Sequence, residues 1–191
     1  MRAGFVAFDG MTALDFVGGF DPVTRLSTMG YTDLDWAVCA PAATQTETVT
    51  AAANLRFEVD SVGESLAGYD LLFVPGGSAT RELRDNERFV SWLETAEGCP
   101  LVASVCTGSL LLGAAGFLGG TRATTHPNAF ELLEEYCEVV DARVVDEGPV
   151  VTARGVASAL DIGLHLVERL TDTETRREIA AQMDYPDPFA E

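Results

Sequence analysis

Short apolar runs alternate with longer segments of helical periodicity along nearly the whole chain. The apolar runs predict strands, and the segments whose apolar residues recur every three or four positions predict helices. Strands are expected at 3–8, 36–40, 69–74, 101–105, 123–125, 139–145 and 150–153. Helices are expected at 12–29, 85–97 (with Asp85 as its cap), 127–135 and 157–170, and in a short segment through Arg177 and Ile179. Alternation over 47–59 predicts a hairpin, and 185–189 predicts an extended tail.

This alternation of strands and helices predicts an α/β fold with a mostly parallel sheet and helices on both faces. In such sheets the ligand crevice lies outside the carboxyl ends of the strands. Three strand ends are therefore expected to meet at one site: the turn after Phe8, the Pro75-Gly76-Gly77 turn and the turn at Cys106.

Cys106 stands where an apolar run turns directly into a segment of helical character. This is the context of a nucleophile elbow, with cysteine in place of serine. We expect the turn to expose the thiol above the sheet edge, and Gly108 to leave room beside it. The helix expected to begin at Thr107 would favour the thiolate through its dipole. The alternative is a core cysteine, but the position on a turn favours a nucleophile.

Asp15 follows the first predicted strand, between the apolar residues Leu14 and Phe16. It is either an ordinary acid in the first turn of a helix or a partly buried carboxyl. Burial and repulsion from a nearby thiolate would favour the protonated carboxyl, which would stabilise the Cys106 thiolate through a hydrogen bond and act as a general acid. The residues leave both interpretations open.

The glycine pair Gly76-Gly77 ends an apolar strand and allows the backbone to approach a ligand closely. One of its N–H groups, with that of Thr107, is a candidate oxyanion-binding pair. The Thr107 hydroxyl is either a donor beside the thiol or a helix cap.

The chain contains only two histidines. His126 ends a predicted strand and is a candidate base or partner of Cys106; the alternative is a histidine hydrogen-bonded at a strand end. His165 lies on the polar stripe of an otherwise apolar helix, which indicates a surface or subunit interface. Arg154 is either an anion-binding residue at the crevice or a surface ion-pair residue, and the second interpretation is favoured.

The composition predicts one soluble domain over residues 1–191, with thirty acidic residues against twelve arginines, no lysine and a net charge of −18. Acidic residues spread along the whole chain indicate a halophile protein adapted to high salt. The same charge argues against nucleic-acid binding. A chain that begins in a strand, without a long apolar span, predicts no signal peptide, no membrane insertion and a cytoplasmic location. The spacing of the four cysteines gives no metal or cofactor motif.

Three segments of the chain stand out: Ser104-Val105-Cys106-Thr107-Gly108-Ser109, the preceding Val74-Pro75-Gly76-Gly77 and the following Ala123-Thr124-Thr125-His126. Together they resemble the ThiJ/PfpI superfamily. The resemblance implies a flavodoxin-like three-layer sandwich, a class I glutamine amidotransferase-like domain, a reactive cysteine on a nucleophile elbow and a homodimer. Family activities include isonitrile hydratases, glyoxalases and protein deglycases, and proteases or amidases.

Within that superfamily, Asp15, the Cys106-Thr107 pair and the closing segment 182–189 are similar to the isonitrile hydratase branch. The implied site comprises Cys106, Asp15 and Thr107 as catalytic residues. Gly76, Gly77 and His126 would bind the substrate or oxyanion. Gly18-Gly19 replaces the Gly-Pro pair of the hydratases, and the His126-Pro127 pair resembles the deglycase branch. A glyoxalase, deglycase or amidase is therefore the alternative enzyme, and a cysteine redox sensor or dimeric binding module is the alternative outside catalysis.

Overall fold

The computed structural model describes residues 1–42, 44 and 47–186. The strands are β1 (Arg2–Val6), β2 (Asp35–Ala40), β3 (Thr48–Thr50), β4 (Arg56–Glu58), β5 (Ser61–Val62), β6 (Leu71–Val74), β7 (Leu101–Val105), β8 (Arg122–Ala123), β9 (Glu138–Val139), β10 (Val144–Asp146) and β11 (Val150–Ala153). The helices are α1 (Ala13–Thr28), α2 (Thr80–Leu83), α3 (Glu87–Glu94), α4 (Gly108–Ala114), α5 (Phe130–Leu133), α6 (Ser158–Leu170) and α7 (Thr173–Gln182). Short 3₁₀ turns lie at Ala52–Asn54 and Pro127–Ala129.

The central sheet has the strand order β10-β11-β7-β6-β1-β2-β5. Every neighbouring pair is parallel except β10 with β11, which is antiparallel. The buried strands β6 and β7 carry continuous apolar or small residues, as expected when helices cover both faces. Strands β1, β6 and β7 are therefore adjacent at the centre of the sheet, and their carboxyl ends lie side by side.

Helices α1, α6 and α7 pack together as one layer, and α2, α3, α4 and α5 form the other. Close packing of α1 on α6 depends on two glycines without side chains. A Cβ on Gly18 would lie 2.5 Å from the Ala159 methyl group, and one on Gly163 would lie 2.8 Å from the Pro22 ring. The two glycines therefore allow α1 and α6 to lie in close contact.

The structure confirms the predicted α/β fold, its parallel sheet and its main helices. The predicted hairpin is the antiparallel pair β3 and β4. The predicted strand at 139–145 is wrong as one element, because β9 pairs with β8 in a separate two-stranded sheet while β10 joins the central sheet. The first turn of the predicted helix at 127–135 is 3₁₀.

Asp85 was expected to cap the helix that contains Phe89, and this prediction is wrong. The cap is Asn86, whose side-chain oxygen accepts hydrogen bonds from the Arg88 and Phe89 N–H groups at 3.1 Å. The short elements β5 and α2 were not predicted, and 187–189 of the predicted tail lie outside the described residues. None of the described helices has both the length and the apolar character needed to cross a bilayer.

Candidate active site around Cys106

Cys106 occupies a strained turn between β7 and α4. Its φ of 56° lies in the left-handed region that non-glycine residues rarely adopt. Thr107 then serves as the N-terminal cap residue of α4. The predicted strand–turn–helix geometry of a nucleophile elbow is therefore present.

Gly108 has a different role from the one expected. A Cβ at this position would collide with the carbonyl oxygens of Val74 and Pro75, not with the thiol. The missing side chain thus allows the start of α4 to lie against the end of β6, which brings the second predicted segment of the site next to Cys106.

Asp15 lies in the first turn of α1 and its side chain is fully buried. The connection that leads into α1 is held against the glycine pair, since the Thr12 N–H donates to the Gly76 carbonyl at 2.8 Å and Met11 pairs with Gly77. A Cβ built on Gly76 would lie 2.9 Å from Asp15 Oδ2, 2.8 Å from Cys106 Cβ and 2.6 Å from the Thr107 nitrogen. All four residues therefore border one small space.

Burial raises the pKa of the Asp15 carboxyl from its ordinary 3.8 to about 7, because the charged form loses its hydration. Among the described residues neither carboxyl oxygen makes a hydrogen bond of standard geometry. The Cys106 thiol and the Gly76 N–H nevertheless lie near enough to stabilise the carboxylate in part and to limit the rise in its pKa. Asp15 is thus a buried acid that titrates near neutral pH, the second of the two interpretations left open by the sequence.

The Cys106 thiol differs from the exposed thiolate that the sequence predicted. The residue is only 5% exposed. Desolvation, and then the nearby Asp15 charge, raise the pKa of the thiol to about 12, whereas the Thr107 N–H and hydroxyl lower it. The expectation of a thiolate in the resting protein is wrong, because burial and the carboxylate outweigh the amide at the start of α4.

The Thr107 hydroxyl does not cap α4. It donates to the Gly77 carbonyl and accepts from the Gly77 N–H, both at 3.0 Å. The Gly77 amide is therefore already bonded, and the Gly76 N–H, the other candidate for the oxyanion-binding pair, faces the Asp15 carboxyl. The pairing of Gly76 with the Thr107 N–H stays a prediction.

His126 is placed at the start of the 3₁₀ turn Pro127–Ala129. Its Nδ1 accepts a hydrogen bond from the Asn128 N–H at 3.3 Å, so this ring nitrogen holds the local backbone. The contact is the one expected of a histidine hydrogen-bonded at a strand end. None of the hydrogen bonds found in the described residues joins His126 to Cys106 or Asp15.

The other two polar residues singled out in the sequence contact carboxylates at the surface. His165 Nε2 contacts Asp146 Oδ2 at 2.6 Å, and Arg154 pairs with Asp141 at 3.0 Å. The prediction of a surface ion pair at Arg154 is confirmed. The contact of His165 also agrees with a surface position.

Two hydroxyl residues next to the elbow were missed. Thr125 Oγ1 donates to the Cys106 carbonyl oxygen at 2.9 Å, and Ser109 Oγ donates to the same oxygen at 3.3 Å. Both residues belong to the motif segments, but a single sequence does not show that a threonine 19 positions downstream returns to the elbow. The described residues contain no group of three or more His, Cys, Asp or Glu arranged to hold a metal ion, and all four cysteines are free thiols.

Comparison with known proteins identifies relatives of the whole fold. The family model for the DJ-1/PfpI family matches residues 1–169. An isonitrile hydratase from Pseudomonas putida is 32% identical over 187 residues, which is 97% of this chain and 78% of that protein. A deglycase from Pyrococcus horikoshii is 39% identical over 89 residues, or 45% of this chain and 53% of that protein.

Solved structures agree with these sequence relationships. The crystal structure of a ThiJ/PfpI family protein from Pseudomonas syringae superposes with a TM-score of 0.85 at 28% identity, covering 98% of this chain and 76% of that one. The family model, the near full-length relative and the superposed fold lead to the same assignment. The chain belongs to the DJ-1/PfpI family.

Proposed function

We propose that this protein is a cysteine-dependent, isonitrile hydratase-like enzyme that converts an isonitrile to an N-substituted formamide. The observation that carries the proposal is the buried Asp15 carboxyl beside Cys106, with a pKa raised to about 7. Such a carboxyl can take up and return protons near neutral pH. The similarity to the Pseudomonas putida hydratase over nearly the whole chain supports this choice among the family activities.

In the first step the sulfur adds to the terminal carbon of the isonitrile. At pH 8 the pair holds one proton, on the sulfur, because the pKa of the thiol is about 12 and that of Asp15 about 7. Asp15 accepts this proton as the C–S bond forms and then delivers it to the same carbon. The S–H bond breaks, C–S and C–H bonds form, and the product is a thioimidate with a C=N double bond.

In the second step Asp15, again a carboxylate, takes a proton from water as the water oxygen attacks the thioimidate carbon. The proton passes to the nitrogen. The tetrahedral intermediate then expels the sulfur, which recovers the remaining proton of the added water. The C–S bond is broken, the formamide leaves and the thiol is restored, so that the net reaction is the addition of one water.

The neighbouring residues hold the reacting groups. Gly76 lets Asp15, Cys106 and Thr107 lie close together, since a Cβ at this position would displace them. The Thr107 N–H faces the sulfur and stabilises developing negative charge. The Thr107 hydroxyl holds Gly77, and His126 orders the chain at the border of the site. No cofactor enters this scheme.

A glyoxalase or deglycase reaction is the second candidate, favoured by the 39% identity with the Pyrococcus horikoshii deglycase. There the Cys106 sulfur would add to an aldehyde carbon, and Asp15 would move the proton. A redox-sensor role is disfavoured, because sensor thiols are exposed and have a low pKa. Cys106 is buried and its pKa is raised.

We also propose a homodimer in the cytoplasm. Leu14 and Val17, one helical turn apart on α1, are exposed apolar side chains, as are Trp36 and Leu55. A second copy of the chain would cover these side chains. The location is a separate proposal: the free thiols suit the cytoplasm, because it is a reducing compartment. Light scattering in high salt should give twice the monomer mass for the native chain and the monomer mass for Val17→Glu.

The test is a turnover panel of cyclohexyl isocyanide, methylglyoxal and a chromogenic amide, run in high salt with Cys106 verified as reduced. We expect N-cyclohexylformamide from the native protein and none from Cys106→Ser. Turnover of methylglyoxal alone would replace the proposal with the deglycase-like reaction, and turnover of the amide alone would replace it with an amidase.

A further inference from the structure

We propose that Thr125 is a positioning residue, which orients the Thr107 N–H toward the Cys106 sulfur by holding the Cys106 carbonyl. This inference rests on the proposed role of Cys106 as the nucleophile, whatever the substrate. Thr125 is fully buried and lies outside the group of residues that border the reacting space.

Among the described residues, no backbone N–H group donates to the Cys106 carbonyl oxygen, so its donors are side chains. It lies before the first residue of α4, where a buried oxygen without a partner would be unfavourable. In the described part of the chain its donors are two hydroxyls, from Thr125 at 2.9 Å and Ser109 at 3.3 Å. Because the left-handed φ of Cys106 is unfavourable for a cysteine, these bonds help to fix the turn.

The peptide bond between Cys106 and Thr107 connects Thr125 to the sulfur. A trans peptide is planar, so its C=O and N–H groups point in opposite directions. When Thr125 holds the carbonyl on one side, the Thr107 N–H is aimed at the other side. There it lies beside Cys106, since the Thr107 nitrogen and Cys106 Cβ are 2.6 and 2.8 Å from the same point next to Gly76, and it lowers the pKa of the thiol. Loss of the Thr125 donor leaves only the longer bond from Ser109, so the peptide is held less firmly and that contact weakens.

Strand β11 holds both the elbow and the segment that carries Thr125. The Cys106 N–H donates to the Ala153 carbonyl at 3.0 Å. The Thr124 N–H donates to Thr152 Oγ1 at 2.9 Å, in the adjacent position of the same strand. Thr125 is therefore attached to the same support as the residue whose carbonyl it binds, which suits a role in fixed orientation.

The chain offers a matched control in the neighbouring Thr124. It is also fully buried, but its hydroxyl makes no hydrogen bond within the described residues. Valine keeps the shape of threonine and removes the hydroxyl. Comparison of Thr125→Val with Thr124→Val thus separates the donor to the elbow from the general cost of the substitution.

The measurement is the rate of iodoacetamide alkylation at pH 8.5, followed by mass spectrometry of the Cys106 peptide. It needs no substrate, so it stands even if the hydratase proposal fails. We expect Thr125→Val to react roughly five- to tenfold more slowly than Thr124→Val, as expected for one lost hydrogen bond. Thr125→Ser should restore the rate, because it keeps the hydroxyl.

Equal or faster alkylation in folded Thr125→Val than in Thr124→Val would overturn the proposal, as would failure of Thr125→Ser to restore the rate. Thermal melting establishes that the compared variants are folded. If Thr125→Val does not fold, Ser109→Ala reports on the same carbonyl oxygen. It should slow alkylation about twofold through its longer bond, and an unchanged rate there would also contradict the inference.

Discussion

The Asp15 carboxyl borders the Cys106 thiol beneath Gly76, and its charge helps the thiol to keep its proton. Burial raises the pKa of both groups, so the resting pair has one proton to share and little water to carry it away. A thiol protected in this way reacts slowly with a general electrophile and fastest when a bound substrate carbon accepts the sulfur while Asp15 accepts the proton. Substrate binding therefore increases the reactivity of Cys106.

The pH dependence of turnover should follow Asp15. The carboxylate form accepts the thiol proton, and the pKa of this carboxyl is raised to about 7. We predict that kcat/KM for cyclohexyl isocyanide rises with pH through about 7 and levels off above it. Asp15→Asn should lose most of the activity together with this pH dependence. A native profile that is flat across neutral pH would contradict the assignment of Asp15.

The free energy of unfolding should also depend on the Asp15 carboxyl, and it should fall as pH rises, whereas turnover rises. The folded-state pKa of about 7 lies above the ordinary 3.8, so the unfolded chain loses this proton first and the folded state becomes less favoured as pH rises between these values. The difference corresponds to at most about 4 kcal/mol. Asp15→Asn should therefore raise the free energy of unfolding at pH 8 by roughly 1–3 kcal/mol, with a smaller gain at pH 5.

The stability prediction is checked by denaturant unfolding of the two proteins at both pH values in constant salt. A variant that is less stable than the native protein at pH 8 would mean that the carboxylate makes stabilising contacts, contrary to the description of Asp15 as a poorly solvated acid.

Gly76 should be intolerant of even a methyl group. The added Cβ of Gly76→Ala would meet the Thr107 nitrogen at 2.6 Å and Asp15 Oδ2 at 2.9 Å. We expect a loss of kcat/KM of roughly 100-fold, because the reacting groups are displaced. Gly119→Ala is the control, since its nearest neighbour would be the Gly116 carbonyl oxygen at 4.0 Å. Equal activity in the two variants would contradict the claim that activity needs the close packing of Asp15, Cys106 and Thr107 at Gly76.

Salt should stabilise the fold. A net charge of −18 places many like charges on a small surface, and their repulsion is screened at high ionic strength. We predict that the melting temperature rises substantially between about 0.1 M and about 3 M potassium chloride. An unchanged melting temperature over this range would contradict the halophile interpretation.

The sequence alone predicts those helices and strands whose pattern of apolar residues is clear over a short stretch of chain. The apolar run that ends at Val105 predicts a buried strand, which the structure confirms, and its abrupt stop at Cys106 located the elbow. Strand β5 and helix α2 were missed because two and four residues are too short to show a period. Asn86 replaced Asp85 as the cap because both residues can fill that position and tertiary packing decides between them.

The site was predictable as a set of residues but not in its electrostatics. The three strand ends identified Asp15, Gly76 and Cys106, since carboxyl ends of neighbouring parallel strands lie together. Whether the pKa of the Cys106 thiol is raised or lowered depends on how deeply the turn is buried, which a single sequence does not specify. The hydrogen bond from Thr125 to the Cys106 carbonyl could not be predicted either, because the two residues are 19 positions apart along the chain.

The most direct test of the proposed mechanism is rapid-quench mass spectrometry of the Cys106 peptide during turnover of cyclohexyl isocyanide in high salt. We predict a transient adduct equal in mass to one isocyanide on Cys106, formed and lost as N-cyclohexylformamide accumulates, and absent in Cys106→Ser. A reduced Cys106 that acquires no adduct while no formamide forms would contradict the assignment of this chain as an isonitrile hydratase-like enzyme.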